Sequence, residues 1–160
     1  MKPELLSSKF TVRRLRTEDI DRIYELSSRN TIFYQYHPPF VTRESIQEDM
    51  RAFPPGMEEK DKYYIGFFEK ELLVAVMDLI LGYPAEEIAY IGLFMMNLNY
   101  QKKGIGSWII SECANCLKGF GFQKIHLGVD KGNPQSNAFW KKNGFVVTGE
   151  GEYIRMERHL

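Results

Sequence analysis

Between Gln101 and Gly106 the chain reads Gln-Lys-Lys-Gly-Ile-Gly, two glycines one residue apart. They stand between an apolar run that ends at Met96 and a helical pattern that opens near Gly104. Glycine has no Cβ to block a ligand or to forbid a positive φ, so backbone can come close to a bound group here. A helix start behind such a turn offers unpaired N–H groups and the positive end of a helix dipole. Strand, glycine turn and helix N-terminus together make a phosphate cradle. Amides from about Lys102 to Gly106 can donate to pyrophosphate oxygens. Lys102 and Lys103 can add charge, or can simply be solvated loop lysines. The turn lacks the Gly-Lys-Ser/Thr of a P-loop and the third glycine of a dinucleotide fingerprint. Its spacing therefore indicates a phosphate-bearing ligand without naming it.

Other residues of chemical interest are scattered. Asp78 is an acid within the otherwise apolar run Leu72 to Leu81; it either faces solvent at the alternating period or anchors an amine. His37 lies in a stretch dense in aromatics, with Phe33, Tyr34 and Tyr36 beside it. His126 alternates with Ile125 and Leu127 and can lie on the opposite face of a strand. Cys113 and Cys116 have the spacing of a redox or zinc pair. A reactive thiol belongs near a helix N-terminus, however, and zinc needs about four ligands. These two fall in the second half of an expected helix with no second Cys/His pair nearby, so they read as small apolar packing residues.

The elements that position these residues follow from periodicity and punctuation. Phe10 to Leu15 alternates as a strand. Thr17 caps a helix running to about Ser28, with Glu18 and Asp19 in its first turn, where acids suit the dipole. Arg29 to Val41 is irregular. Thr42 caps a second helix, Arg43 to Phe53, ended by Pro54-Pro55-Gly56. Tyr63 to Phe68, Leu72 to Leu81 and Ile88 to Met96 are strands. A helix follows from about Gly104 to Gly119, then a strand from Lys124 to Val129 and a short helix from Asn137 to Asn143. Strands beginning at Gly144 and running from Tyr153 to Glu157 close the chain. Three consecutive strands need antiparallel pairing, whereas the strand–helix–strand step from 88–96 to 124–129 needs a parallel crossover. The expectation is one α/β domain (α+β mixed) over residues 1–160, with a mixed, mostly antiparallel sheet of about seven strands flanked by about four helices.

Composition narrows the partners. Lys+Arg and Asp+Glu both number 21. A general nucleic-acid binder would carry a basic excess, so no nucleic acid is expected. No stretch reaches the roughly 18 apolar residues of a membrane span, and the first residues lack a signal-peptide core. A soluble, cytoplasmic protein without a membrane partner is the reading.

From Ile88 to Phe145 the sequence resembles the GCN5-related N-acetyltransferase (GNAT) superfamily. That family's cofactor motif, arginine or glutamine, two residues, glycine, one residue, glycine or alanine, is met by Gln101 to Gly106, with the apolar Met96 five positions upstream. Its second motif, an asparagine followed by a short helix that ends aromatic-x-x-x-Gly-Phe, is met by Asn133-Pro-Gln-Ser-Asn-Ala-Phe-Trp140-Lys-Lys-Asn-Gly-Phe145. The element order also matches over nearly the full length. The resemblance implies a V-shaped splay between the strands 88–96 and 124–129, with acetyl-CoA (coenzyme A) as co-substrate and no metal. It places the cofactor against Phe94, Met95, Met96, Gln101, Lys102, Lys103, Gly104, Ile105, Gly106, Ser107, Asn133 and Trp140. A strand N–H near Met95 or Met96 would polarise the acetyl carbonyl.

Two departures stand out. Trp140 occupies the position where many relatives have a tyrosine that protonates the leaving thiolate, and an indole N–H cannot serve as that acid. Tyr90 occupies the position where some relatives have a glutamate base. A phenol with an unperturbed pKa near 10 is a poor base but a workable relay for water. Tyr90 and Asp78 are thus the candidate catalytic residues, with Glu86, Glu87, His37 and His126 as further options. The acceptor would enter opposite the cofactor, against Phe33, Tyr34, Tyr36 and His37, with Tyr83 adding to the same wall. The implied activity is acetyl transfer to a primary amine, small-molecule or peptide, by direct attack in a ternary complex. A non-catalytic acyl-CoA-binding or sensing module is the alternative. A homodimer through an exposed last strand, Tyr153 to Glu157, is expected by analogy.

Overall fold

The computed structural model describes residues 1–160. The strands are β1 (Thr11–Arg14), β2 (Lys62–Glu69), β3 (Leu72–Leu81), β4 (Ile88–Met96), β5 (Lys124–Val129), β6 (Val146–Glu150) and β7 (Ile154–His159). The helices are α1 (Ile20–Ser28), α2 (Thr31–Tyr36), α3 (Arg43–Arg51), α4 (Ile105–Gly119) and α5 (Pro134–Lys142). No helix is long and apolar enough to cross a membrane.

All seven strands form one sheet in the order β1-β2-β3-β4-β5-β7-β6, in which only β4 and β5 run parallel. Residues 62–68 of β2 are all buried, as is most of β3. A strand covered by helices on both faces reads as a continuous apolar run. One face packs on α4 and α5 through Ile65, Phe67, Met77, Ile109 and Leu117. The other packs on α1 and α3 through Tyr64, Val76, Met95, Ile23 and Ile46.

Local signals set the helix ends. Thr42 Oγ1 accepts from the Ser45 amide, and Ser45 Oγ accepts in return from the Thr42 amide, which satisfies two donors at the start of α3. The start of α1 is held differently. Buried Asp19 takes both Arg13 guanidinium nitrogens at 2.8 and 2.9 Å and the Arg16 amide at 2.8 Å. The Arg13 hydrogen bonds hold the Asp19 carboxyl below its ordinary range, against the effect of burial.

Three expectations are corrected. The aromatic segment after α1 is not irregular throughout, because Thr31–Tyr36 is helical. Helix α5 starts at Pro134 rather than Asn137, with Asn133 as its N-cap. Finally, the last strand is not an exposed edge: β7 lies between β5 and β6, and the outer edge is β6. The route to a dimer through Tyr153–Glu157 is therefore closed by β6.

The splay is visible in the register. β4 and β5 pair only from Ile88/Lys124 to Ile91/Leu127. A bulge then sets in, because Asp78 and Leu79 of β3 face Leu93 and Ile91, leaving Gly92 as the extra residue. A bulge bends its strand and sharpens its twist, turning β4 away from β5. Gly92 is required there by close approach, since a Cβ would lie 2.9 Å from Asp78 Oδ2.

Candidate active site

Past the bulge, β4 keeps its pairing with β3 and loses β5. Antiparallel residues alternate between bonding one neighbour and facing the other. Asn97 N donates to Val74 O at 2.7 Å, which fixes the phase. Met95 bonds toward β3, while Phe94 and Met96 turn their backbone groups into the gap. Two side-chain amides occupy the Met96 carbonyl, Asn30 Nδ2 at 3.0 Å and Gln101 Nε2 at 3.1 Å. Gln101 Nε2 also donates to Asn30 Oδ1 at 2.8 Å. This knot ties the α1–α2 junction to the loop before α4.

The loop itself carries the clearest signal. Its backbone N–H groups from Lys102 to Ser107, six in succession, have no backbone acceptor. Lys102 and Gly104 both adopt left-handed backbone, with φ of 60° and 77°. Alternating such residues with ordinary ones curls the amides into a concave nest that favours anions. Helix α4, 15 residues long, starts immediately behind it. Gly106 faces Phe139, whose ring a Cβ would meet at 3.2 Å.

Loop, β4 end and α5 enclose a cleft of about 310 Å³. Phe94, Met95 and Met96 form one wall, while Gln101, Lys102, Gly104, Gly106 and Ser107 form the second. Gln135, Ser136, Ala138, Phe139, Trp140 and Lys142 of α5 form the third, and Asn30 and Phe33 the rim. A smaller cavity of about 60 Å³ lies toward the apex of the splay, bordered by Gly92, Gly128 and Asp130. Phe33, Phe94, Ser136 and Trp140 border both, so the two spaces meet there. Trp140 is packed against Phe94, Phe139 and Phe145 with ring centroids 6.0, 5.0 and 5.0 Å away.

On the opposite face of the sheet, aromatics and acids converge. Tyr90 meets Tyr83 edge-on at 5.4 Å. A Cβ on Gly128 would sit 3.4 Å from Tyr153 and 3.5 Å from the Tyr90 hydroxyl. Burial, then the neighbouring Tyr83, pushes the Tyr90 phenol upward. Asp78 presents both carboxylate oxygens to the buried Lys62 Nζ, each at 2.9 Å. Burial pushes Asp78 upward in spite of that partner. His37, at the end of α2, places Nδ1 3.0 Å from Asp130 Oδ1 at the end of β5.

A profile of the acetyltransferase (GNAT) family matches residues 20–145. The chain belongs to the GNAT family. Solved structures agree in fold. An acetyltransferase from Thermus thermophilus superposes with a TM-score of 0.80 at 20% identity, covering 93% of this chain and 96% of that one. The spermidine N-acetyltransferase of Vibrio cholerae, in complex with CoA and spermine, gives 0.69 at 19% identity, covering 96% of each. The PaiA N-acetyltransferase of Thermoplasma acidophilum, in complex with coenzyme A, gives 0.68 at 21%, covering 93% and 98%. No curated protein matches the sequence.

Within the GNAT frame, the residues expected at the cofactor divide. Phe94, Met95, Met96, Gln101, Lys102, Gly104, Gly106, Ser107 and Trp140 line the larger cleft. Lys103 and Ile105 contribute amides to the free run but not side chains to the wall. Asn133 stands behind the wall: its Oδ1 accepts from the Gln135 and Ser136 amides, and its Nδ2 is enclosed without a partner.

Of the residues expected on the acceptor side, Phe33 reaches both cavities, whereas His37 and Tyr83 line neither. Tyr34 packs instead between Phe33 and Phe40, and Tyr36 lies near Gly132. His126 approaches Glu157 at 3.0 Å without hydrogen-bond alignment, in a cluster with Lys124 and His159 outside both cavities. Cys113 is buried and its thiol is pushed upward by that burial.

Reasoning from sequence missed Asn30, Ser136 and Lys142 on the wall, and Lys62 and Asp130 as partners. Ser136 had a usable signal, because it stands four residues before Trp140 on one helix face. Lys62 and Asp130 had none, since Asp78 comes beside Lys62 only when β2 and β3 pair and His37, at the end of α2, is 93 residues from Asp130.

The walls suit a CoA ligand. Six free amides, with Lys102 and Lys142, are available to its pyrophosphate, and the backbone groups of Phe94 with the Met96 N–H offer strand-like partners for an amide-bearing arm.

Proposed function

We propose that this protein transfers an acetyl group from acetyl-CoA to a primary amine, by direct attack within a ternary complex. The observation that carries the reading is the run of unsatisfied amides, Lys102 to Ser107, opening onto the same cleft as the unpaired end of β4. The first holds a pyrophosphate and the second an amide-containing arm, which leads the thioester toward Trp140 and the meeting point of the two cavities. There the Met96 N–H is the backbone donor available to the acetyl carbonyl, since Met95 is committed to β3. Donors aimed at developing charge are among the strongest catalytic contributors.

The acceptor side suits a cationic amine. Tyr83, Tyr90 and Phe33 supply ring faces, and cations bind such faces. Asp78 supplies a carboxylate near Tyr90, fixed and charge-balanced by Lys62. The Tyr90 hydroxyl serves as a hydrogen-bonding relay rather than a base, because its phenol is pushed away from neutrality. Cys113 takes no acyl group: its thiol is enclosed and bonded to Leu6 O at 3.7 Å. Among proteins of this fold, the Vibrio cholerae enzyme crystallised with CoA and spermine provides a precedent for a polyamine acceptor.

The packing of Trp140 favours one other reading, a module that binds acyl-CoA without turnover, because the indole has no acidic hydroxyl. Two measurements separate them. Acetyl-CoA should raise the melting temperature while ATP and NAD leave it unchanged; stabilisation by ATP or NAD instead would remove the cofactor assignment. Thiol release is then followed with spermidine, lysine, an aminoglycoside and peptides with free N-termini. Stabilisation without release across that set would favour the binding module.

A further inference from the structure

Neither Tyr90 nor Asp78 explains how the acceptor loses its proton. Tyr90 is pushed in the wrong direction for a base, and both Asp78 oxygens are held by Lys62. A third arrangement spans the mouth of the splay. His37 closes α2 and Asp130 closes β5, and Nδ1 meets Oδ1 at 3.0 Å. The Asp130 side chain is 13% exposed and that of His37 43%. Phe33, which borders both cavities, packs on the imidazole at 5.1 Å, and Tyr153 stacks on it at 6.2 Å. Asp130 itself borders the smaller cavity beside Gly92, Gly128 and Trp140.

We propose that His37, oriented by Asp130, is the base that takes the proton from the acceptor ammonium; this rests on the acetyl-transfer reading above. A carboxylate oxygen that accepts from Nδ1 keeps the hydrogen on that nitrogen and leaves the lone pair on Nε2. His37 Nε2 makes no hydrogen bond within the protein, whereas Nδ1 is taken. Aromatic neighbours on the ring fix its plane, so Nε2 points in one direction.

The proton balance is simple. The acceptor R–NH₃⁺ gives one proton to Nε2, and the free amine forms the C–N bond as the C–S bond breaks. The second nitrogen proton goes to the departing CoA thiolate, and the imidazolium releases its own to water. The charged or titratable groups around the ring are Asp130 from β5, Tyr153 from the β6–β7 turn and Asp49 from α3. His37 acts as a catalytic residue and Asp130 as a positioning residue.

The test uses the full chain and the best acceptor from the set above. His37→Ala should lower kcat about 100-fold at pH 7, the range of general base catalysis, with the KM for acetyl-CoA unchanged. The deficit should shrink as pH rises toward the pKa of the amine, which then arrives already deprotonated, and added imidazole should restore part of the rate. Asp130→Asn should cost less and displace the acidic limb of the pH profile.

Nitrogen-15 NMR should show the neutral ring protonated on Nδ1 in the wild type. A neutral ring protonated on Nε2 overturns the proposal. So does a wild-type profile for His37→Ala, or a loss that is the same at every pH and untouched by imidazole, as a mere latch between α2 and β5 would give. No thiol release by the wild type with any amine refutes the transfer reading itself, whereas release with an unaltered His37→Ala profile refutes the dyad alone.

Discussion

In the larger cleft beside the splay, the groups left free are backbone amides from six consecutive residues, Lys102 to Ser107, none bonded within the backbone. On the opposite face of the sheet, side chains from α2, β2, β3, β4, β5 and the β6–β7 turn converge, and polar ones among them are already paired: Lys62 with Asp78, His37 with Asp130. The first side is a surface with unmet hydrogen bonds, ready for an anion. The second spends its charges internally and presents aromatic rings. A cofactor shared by many enzymes can be held by main chain, which varies little with sequence. A substrate peculiar to one enzyme is read by side chains, which vary freely.

The contrast can be broken most forcefully at Lys62. Asp78→Ala leaves a buried ammonium without a partner and should cost about 3–5 kcal/mol of stability, read from denaturant unfolding. Replacing both partners, Lys62→Met with Asp78→Leu, should recover most of that loss, because an apolar pair of similar volume is often neutral. The double variant should still bind acetyl-CoA normally and lose affinity for the amine. Unchanged acceptor KM in a folded double variant would make the pair purely structural.

On the other side, Gly104→Val forces a β-branched residue to φ of 77° and distorts the nest. Acetyl-CoA binding should weaken about 100-fold, which is about 2.7 kcal/mol, and the strained φ should separately lower the unfolding free energy by about 1–3 kcal/mol. Titration calorimetry checks the first and denaturant melts the second; a wild-type Kd would contradict the nest.

The smallest effect is expected in acid. Asp19 is held low by the Arg13 hydrogen bonds. A depressed carboxyl stabilises the fold above its unfolded pKa, and that contribution is lost as pH falls through the folded value. Wild-type stability should therefore decline below about pH 4, whereas Asp19→Asn should start lower and decline less. Parallel curves would remove Asp19 as the source.

What the sequence made legible follows the same divide. The bounds of β3, β4 and β5 match the expected strands residue for residue: β3, covered on both faces, advertises itself as a nearly unbroken hydrophobic stretch, whereas β5 alternates buried and more exposed residues. The glycine turn and its helix were equally readable, being local. Helix α2 was not: six residues, Thr-Ile-Phe-Tyr-Gln-Tyr, with a β-branched pair at the start and no side-chain cap, have little helix propensity of their own. Packing of Phe33 and Tyr34 on the α1–α3 cluster holds them in place. The start of α5 was misplaced although Asn133 before Pro134 is a recognised cap followed by a first-turn proline. Asp78 read either as a solvent-facing acid or as an amine anchor, and its ion pair was not legible because Lys62 sits 16 residues away, beside it only once β2 and β3 pair.

The bulge at Gly92 has a consequence for solubility. By turning β4 away from β5 it opens two unpaired strand edges in the middle of the sheet, the kind of row on which another chain can template itself into an aggregate. Here that row is walled by α5 and by the Asn30–Gln101 knot on the Met96 carbonyl. A slender amide-bearing arm can enter, but a whole foreign strand with its side chains cannot. The protein thus keeps a sticky edge for its own use while denying it to its neighbours.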